Sequence, residues 1–239
     1  MIALALILAC LLAAYLVVVQ PVASERSFRK FLAQIRVDKR ARVRFYLRSI
    51  VMKWLLVVAV WLIVVLANLS LAVIGLQAPN AGASSFLWIA ATLVGLVLST
   101  LVFRRLVSTP EGREQLESAM MAPLELIPVT SEEKSVWVVA AITAGVCEEI
   151  LYRGFLIWYL MAVFPHMNII AALIASSVFF GFAHYYQGLR GIIATGIIGG
   201  LLAWIYYSTG SLLAPIIIHA LVDLRVMFLF PTEKASTRA

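Results

Sequence analysis

Three short patterns of ionisable residues lie within strongly apolar stretches in the second half of the chain. They read Glu148-Glu149-x-x-x-Arg153, Phe180-x-x-x-His184 and His219-x-x-x-Asp223. An ionisable group at membrane depth is destabilising unless it is paired or faces water, so it indicates a functional site by default. The chain has three histidines, and two of them belong to these patterns. This concentration predicts a water-containing active site within the membrane.

The first pattern separates two carboxylates by role. Glu148 and Glu149 are adjacent, so a helix directs their side chains about 100° apart. Glu149 and Arg153 are four residues apart with the acid first, which favours an ion pair along the helix surface. Arg153 is therefore expected to neutralise Glu149 and to leave Glu148 free to act on water. The alternative is a buried charge network without chemistry, in which two carboxylates share one arginine.

The second and third patterns add two imidazoles. Phe180 and His184 share one helical face, and so do His219 and Asp223, which makes Asp223 a candidate to orient the imidazole of His219. A glutamate, two histidines and an aspartate can together polarise a water, which is the task of a general base. Glutamate and histidine are also ordinary zinc ligands. The residues therefore leave open a divalent metal held by Glu148, His184 and His219.

The composition is that of a protein that crosses a membrane several times. Apolar residues make up 63% of the chain and charged residues 13%, against about half and about a quarter in soluble proteins. Apolar segments inside a bilayer must be helical. The prediction is an all-α transmembrane bundle of about seven spans, with the catalytic residues on the last four. The segments are 2–19, 50–76, 86–103, 136–164, 168–186, 191–207 and 212–230.

Positive charge predicts the orientation of the bundle. Nine of the 19 Lys and Arg residues lie between Arg26 and Arg48, in the expected loop 20–48. Such a cluster marks the cytosolic side and anchors to anionic headgroups of the bilayer, which argues against a nucleic-acid partner. The following loops alternate in charge, which places the N-terminus outside and the C-terminus in the cytosol. Lys53, at the start of the second span, is expected to extend toward the headgroups.

These patterns divide the chain into two regions. Residues 1–134 form an N-terminal membrane region with three spans, the basic loop 20–48 and a cytosolic linker, 104–134. Residues 135–239 form the catalytic membrane core. Thr130 and Glu133 have the spacing of a capping box, which predicts that the fourth helix begins in the cytosolic headgroup region. Gly196 and Gly200 have the small-xxx-small spacing that favours close helix packing.

The three motifs, in this order, resemble the CPBP family of intramembrane proteases, which includes the CaaX prenyl-protein endopeptidases and bacterial Abi-like proteins. The resemblance covers about residues 136–230. It implies that Glu148 and His184 activate the hydrolytic water, and that His219 and Asp223 stabilise the oxyanion of the tetrahedral intermediate or hold the site in shape. It implies supporting roles for three further residues: Glu149, Arg153 and Phe180.

Position 223 departs from one form of the family pattern. Eukaryotic CaaX enzymes often have asparagine there, and an ionised aspartate cannot donate the hydrogen bond that an asparagine donates. Asp223 is therefore alternatively expected to orient His219. The resemblance leaves open whether a metal takes part.

The expected function is that of an intramembrane endopeptidase acting on a membrane-associated protein or peptide precursor. The small size and short loops suit a prokaryotic inner membrane. The signature motifs of rhomboid-type serine, site-2-type metallo and presenilin-type aspartyl proteases are absent from the sequence. Two alternatives stay open: an ion- or proton-coupled transporter that uses the same residues, and a catalytically silent binding or immunity protein.

Overall fold

The computed structural model describes residues 1–80, 82–106, 108–109, 111 and 124–229, and within these residues it contains helices and no strand. Two π-helical turns, Tyr15–Val19 and Ile150–Leu156, join α1 to α2 and α5 to α6 without a break. The helices are α1 (Ile2–Ala14), α2 (Gln20–Gln34), α3 (Ala41–Leu66), α4 (Ala83–Leu106), α5 (Ser131–Glu149), α6 (Ile157–Val163), α7 (Ile169–Ala183), α8 (Gly188–Thr209), α9 (Leu213–Leu224) and α10 (Val226–Leu229).

The apolar helices confirm an all-α membrane bundle. Five continuous stretches of the described chain are long and apolar enough to cross a membrane: Ile2–Gln34, Ala41–Leu66, Ser85–Leu106, Ser131–Val163 and Tyr185–Thr209. Two shorter apolar helices, Ile169–Ala183 and Leu213–Leu224, lie between and after them. These seven elements correspond to the seven predicted segments. Parts of the predicted linker 104–134 and the end of the segment 212–230 lie outside the described residues.

The expected loop 20–48 is wrong in its secondary structure. The first helix continues through α2 to Gln34, and α3 begins at Ala41, so only residues 35–40 form a turn. Charged residues such as Arg, Lys and Glu are good helix formers, and α2 buries Phe28 and Phe31 in a small cluster beside the start of α3. Pro21 would clash with a carbonyl one turn earlier. The widened π-helical turn lies directly before it.

Helix α5 begins where the capping box predicts. Thr130 Oγ1 accepts a hydrogen bond from the Glu133 backbone N–H at 3.2 Å, and Glu133 Oε2 accepts one from the Thr130 N–H at 3.0 Å. From this cap the helix runs to Val163 through the π-helical turn Ile150–Leu156. Glu148 and Glu149 end its regular part, and the turn that follows contains Arg153. The long fourth helix is therefore confirmed, and it positions the first motif.

Close contact between α7 and α8 depends on glycine. A Cβ added to Gly181 would lie 2.6 Å from the Ile192 carbonyl oxygen and 3.2 Å from the Gly196 Cα. Gly196 and Gly200 both face Ser177 of α7. The predicted close packing at Gly196 and Gly200 is therefore between two helices of the same chain. It holds α7, which ends at His184, against α8.

The variant Gly181→Ala is expected to lower thermal stability, because the contacted atom is backbone and α7 and α8 would have to separate. Overpacking of this kind costs about 1–3 kcal/mol. The matched control is Gly95→Ala in α4, where an added Cβ meets no heavy atom within 4 Å. We would measure the unfolding temperature of both variants in the same detergent. Equal unfolding temperatures would contradict the predicted close approach.

Candidate active site

The residues of the three motifs converge at one place in the bundle. Glu148 Oε2 lies 3.8 Å from His219 Nε2 and 4.0 Å from His184 Nε2. These separations are too long for direct hydrogen bonds, but a water between the atoms would lie within hydrogen-bonding distance of all three. Glu148 Oε2 is buried and has no hydrogen-bond partner. Its lone pairs are therefore available to a reactant.

His184 is held by its own helix. It is the residue at which α7 ends, and its Nδ1 lies 2.9 Å from the Phe180 carbonyl oxygen. A carbonyl can only accept, so Nδ1 carries the proton and Nε2 faces Glu148. The Phe180 ring contacts both imidazoles edge-on, with centroid distances of 4.9 Å to His184 and 5.8 Å to His219. Phe180 thus packs against both histidines.

Glu149 joins two of the motifs through one oxygen. Its Oε1 accepts a hydrogen bond from Arg153 Nη1 at 2.8 Å and one from His219 Nδ1 at 2.7 Å. Both Glu149 and Arg153 are 0% exposed. Arg153 also donates to the Gly199 carbonyl of α8 at 3.0 Å and lies over the Phe180 ring at 4.2 Å. The expected Glu149–Arg153 pair is present, and the same carboxylate orients His219.

Asp223 occupies a different position from the one expected of an orienting group. Its Oδ2 is 4.0 Å from Nε2 of His219, on the ring edge that faces Glu148. The hydrogen bond that orients His219 therefore comes from Glu149 on the opposite edge, and the expectation that Asp223 supplies it is wrong. The i, i+4 spacing brings Asp223 near the ring, but α9 directs Nδ1 toward α5. The Asp223 side chain is 34% exposed, which places it beside the entrance.

Lys53 of α3 is a member of the site that the sequence argument missed. Its ammonium lies 3.4 Å from Glu148 Oε1 and 2.5 Å from Ser49 Oγ. The expectation that it extends toward headgroups is therefore wrong, because its side chain turns into the bundle and is 21% exposed. The sequence does contain a signal for this role, because a lysine within an apolar span indicates a functional partner. Each glutamate thus has its own cation, Lys53 for Glu148 and Arg153 for Glu149.

A cavity of about 190 Å³ connects these groups to the surface. This volume holds several waters. Its polar wall contains Lys53, Glu148, His184, His219 and Asp223. The remaining wall comes from α5, the start of α10 and three further places. These are the start of α3, the turn before α5 and the junction between α7 and α8, and they contribute Phe45, Tyr46, Leu126, Ile127, Tyr186 and Gln187. The cavity therefore lies at the end of the bundle that carries the basic residues of α2 and α3.

The arrangement does not fit a bound metal ion. Among the described residues, no group of three His, Cys, Asp or Glu side chains is placed to hold one. Two ligand atoms of one tetrahedral zinc lie about 3.3 Å apart, whereas Glu148 Oε2 lies 3.8 and 4.0 Å from the imidazole nitrogens. The Lys53 ammonium beside Glu148 adds positive charge, which opposes a cation.

The part of the chain that holds the three motifs matches a family model. A family model described as type II CAAX prenyl endopeptidase Rce1-like matches residues 131–225. The matched segment runs from the first residue of α5 to the end of α9 and contains all three motifs, while Lys53 lies outside it. No curated protein and no solved structure matches the chain.

Proposed function

We propose that Glu148 is the general base of a peptide-bond hydrolysis inside the membrane, which agrees with the match of residues 131–225 to the type II CAAX prenyl endopeptidase Rce1-like family. One observation carries the proposal. The buried, unpartnered Oε2 of Glu148 lies 3.8 and 4.0 Å from two imidazole nitrogens, which is the spacing for one shared water. The substrate would be a membrane-associated protein or peptide that reaches the cavity from the cytosolic side.

The groups of the site can accept and return every proton that the hydrolysis moves. Glu148 takes a proton from the water as its oxygen bonds to the scissile carbonyl carbon. His184 Nε2 accepts the second hydrogen of that water and orients it. With a proton on Nε2, His219 donates to the oxyanion, while Glu149 holds its Nδ1. Glu148 then passes its proton to the leaving amine as the carbon–nitrogen bond breaks.

The roles of the other groups follow from their positions. Lys53 holds Oε1 of Glu148, so that Oε2 is the oxygen that faces the water. Asp223, partly exposed at the entrance, would accept a hydrogen bond from the substrate backbone. The bulk of the N-terminal region would serve as a membrane scaffold that contributes Lys53. By the distribution of positive charge, the cavity opens to the cytosol, and the N-terminus lies outside the prokaryotic inner membrane.

The test uses the purified full chain in liposomes and a fluorogenic peptide library. Each peptide is present with and without a prenyl group, and each reaction is run with and without a chelator. Cleavage that survives the chelator supports the metal-free mechanism, whereas its loss and recovery with added zinc would overturn that mechanism. Proton flux without cleavage of any peptide would favour the transporter over the protease.

The variant Lys53→Met is expected to lower the rate of peptide cleavage by about 10-fold, because it removes the ammonium 3.4 Å from Glu148 Oε1 that directs Oε2 toward the water. The groups that face Glu148 are Lys53 from α3, His184 from the end of α7, and His219 and Asp223 from α9. The variant changes Lys53 and leaves the other three residues in place.

Two variants serve as controls for the lysine effect. Lys53→Arg keeps the charge and should retain most of the wild-type rate, and the exposed Lys39→Met should retain all of it. The measurement is the initial rate of peptide cleavage at one pH, together with the unfolding temperature. A wild-type rate in Lys53→Met would show that Lys53 does not position Glu148 for the reaction.

A further inference from the structure

A groove outside the candidate active site combines an apolar wall with a cluster of cations. Its volume is about 570 Å³, and it lies along the first helix, around the junction of the π-helical turn with α2, facing α3. One end is lined by Val18, Val19 and Val22, which are 63%, 48% and 49% exposed. The other end is lined by the three cations Arg26, Lys30 and Arg48.

The cations of this groove have no acidic partner. None of the residues that line it is acidic, and in the described part of the chain none of the three cations forms an ion pair. The neighbouring charges are already paired, Glu25 with Arg29 and Asp38 with Arg44. Three uncompensated cations around one groove favour an anion, and arginine binds phosphate oxygens through two parallel hydrogen bonds.

The order of apolar and basic residues along the helix narrows the ligand further. Val22, Arg26 and Lys30 follow one another at four-residue intervals, so they form a single stripe on one face. The valines continue the apolar part of the first helix, and the cations begin where that part ends. The apolar half therefore lies at the depth of acyl chains and the basic half at the depth of headgroups.

We propose that this groove is a binding site for an anionic glycerophospholipid, with its phosphate between Arg26, Lys30 and Arg48 and an acyl chain against Val18, Val19 and Val22. A free phosphate ion would use only the basic half of the groove. A zwitterionic lipid would place its own headgroup cation beside these three cations. The site is independent of the proposed protease activity, since no residue of the candidate active site lines it.

The experiment is native mass spectrometry of the detergent-solubilised full chain with added phosphatidylglycerol. Phosphatidylcholine with the same acyl chains and glycerophosphoglycerol without chains are the comparison ligands. We expect retention of one phosphatidylglycerol and at least about 10-fold weaker retention of the other two ligands. In the triple variant Arg26→Gln, Lys30→Gln, Arg48→Gln, we expect phosphatidylglycerol retention to fall by a similar factor.

A matched triple variant separates a site from general attraction between charges. Arg36→Gln, Arg104→Gln, Arg105→Gln removes the same net charge from exposed positions elsewhere in the chain. It should retain the lipid as wild type does. Equal weakening in both triple variants would overturn the proposal, and so would equal binding of the two phospholipids.

A second variant tests the apolar half and serves if the basic triple variant does not fold. Val22→Ser leaves every cation in place and shortens the apolar wall. We expect it to weaken phosphatidylglycerol binding several-fold and to leave the weak binding of glycerophosphoglycerol unchanged. If Val22→Ser leaves phosphatidylglycerol binding unchanged as well, the groove recognises a phosphate and not a lipid, and the proposal is wrong.

Discussion

Glu148→Gln is expected to lower the rate of peptide cleavage by about 10³-fold, which is within the range that a positioned general base contributes. Glutamine keeps the shape of the side chain and both hydrogen-bonding positions, but it cannot take a proton from water. The change also removes the charge that faces Lys53 at 3.4 Å. Lys53 borders the cavity and is partly exposed, so its ammonium can be hydrated there. The loss should therefore fall on catalysis more than on folding.

The matched control is Glu132→Gln on the same helix. Glu132 is exposed and pairs with Arg40 at the surface, so the identical chemical change is made outside the cavity. We would compare initial rates and unfolding temperatures of the wild type and both variants in the same liposomes. Cleavage that persists in Glu148→Gln, with the protein folded, would refute the assignment of the base. Equal loss in both variants would point to an effect of charge on substrate delivery.

The meeting of Glu148, His184 and His219 was predictable from the sequence. Each lies in an apolar helix or at its end, and a buried ionisable group needs either a partner or water. Their depths in a simple parallel bundle differ, since His184 ends α7 whereas Glu148 and His219 lie within helices. The structure nevertheless brings both imidazoles within 4.0 Å of Glu148 Oε2.

The contacts of Lys53 and Glu149 were not predictable in the same way. Helical spacing shows which residues share a face of one helix, but not which helix that face meets. Lys53 contacts a residue 95 positions later in the chain, and His219 contacts a residue 70 positions earlier. Spacing alone favoured Asp223 as the partner of His219. The packing of α9 against α5 places a stronger acceptor, Glu149, on the other edge of the ring.

The prediction of a loop over residues 20–48 was wrong for a different reason. Positive charge near an apolar span reports the side of the membrane and says little about secondary structure. Residues 20–34 contain good helix formers, and Phe28 and Phe31 give that stretch an apolar stripe to bury. The same residues that predicted a cytosolic loop therefore form an extension of the first helix. The groove at its junction with α3 is a consequence of that extension.

Arg153→Met is expected to destabilise the folded protein by about 3–5 kcal/mol, as the removal of one partner of a buried ion pair does. Both side chains are 0% exposed, so Glu149 would be left in the core with only His219 as a donor. The change also removes the hydrogen bond to the Gly199 carbonyl and the contact with the Phe180 ring. Methionine fills most of the volume, so the loss reports charge and hydrogen bonding more than a cavity.

The measurement is a double-mutant cycle with Glu149→Gln, using unfolding temperatures in detergent. The double variant should be more stable than the sum of the two single changes implies, because neither charge is then left alone. If Arg153→Met alone does not accumulate, the double variant can still be purified and compared with Glu149→Gln. The control is Arg29→Met, which removes one partner of the exposed i, i+4 pair with Glu25 and should leave the unfolding temperature unchanged.

The double-mutant cycle also separates the structural role of Arg153 from its effect on catalysis. Glu149 Oε1 accepts hydrogen bonds from both Arg153 and His219, so Arg153 acts on the reaction only through the position of that carboxylate. The double variant should therefore recover stability without recovering cleavage, since His219 has lost its charged partner. If the double variant cleaves peptides at the wild-type rate, His219 needs no orientation by Glu149. In that case the network around Arg153 is a structural element alone.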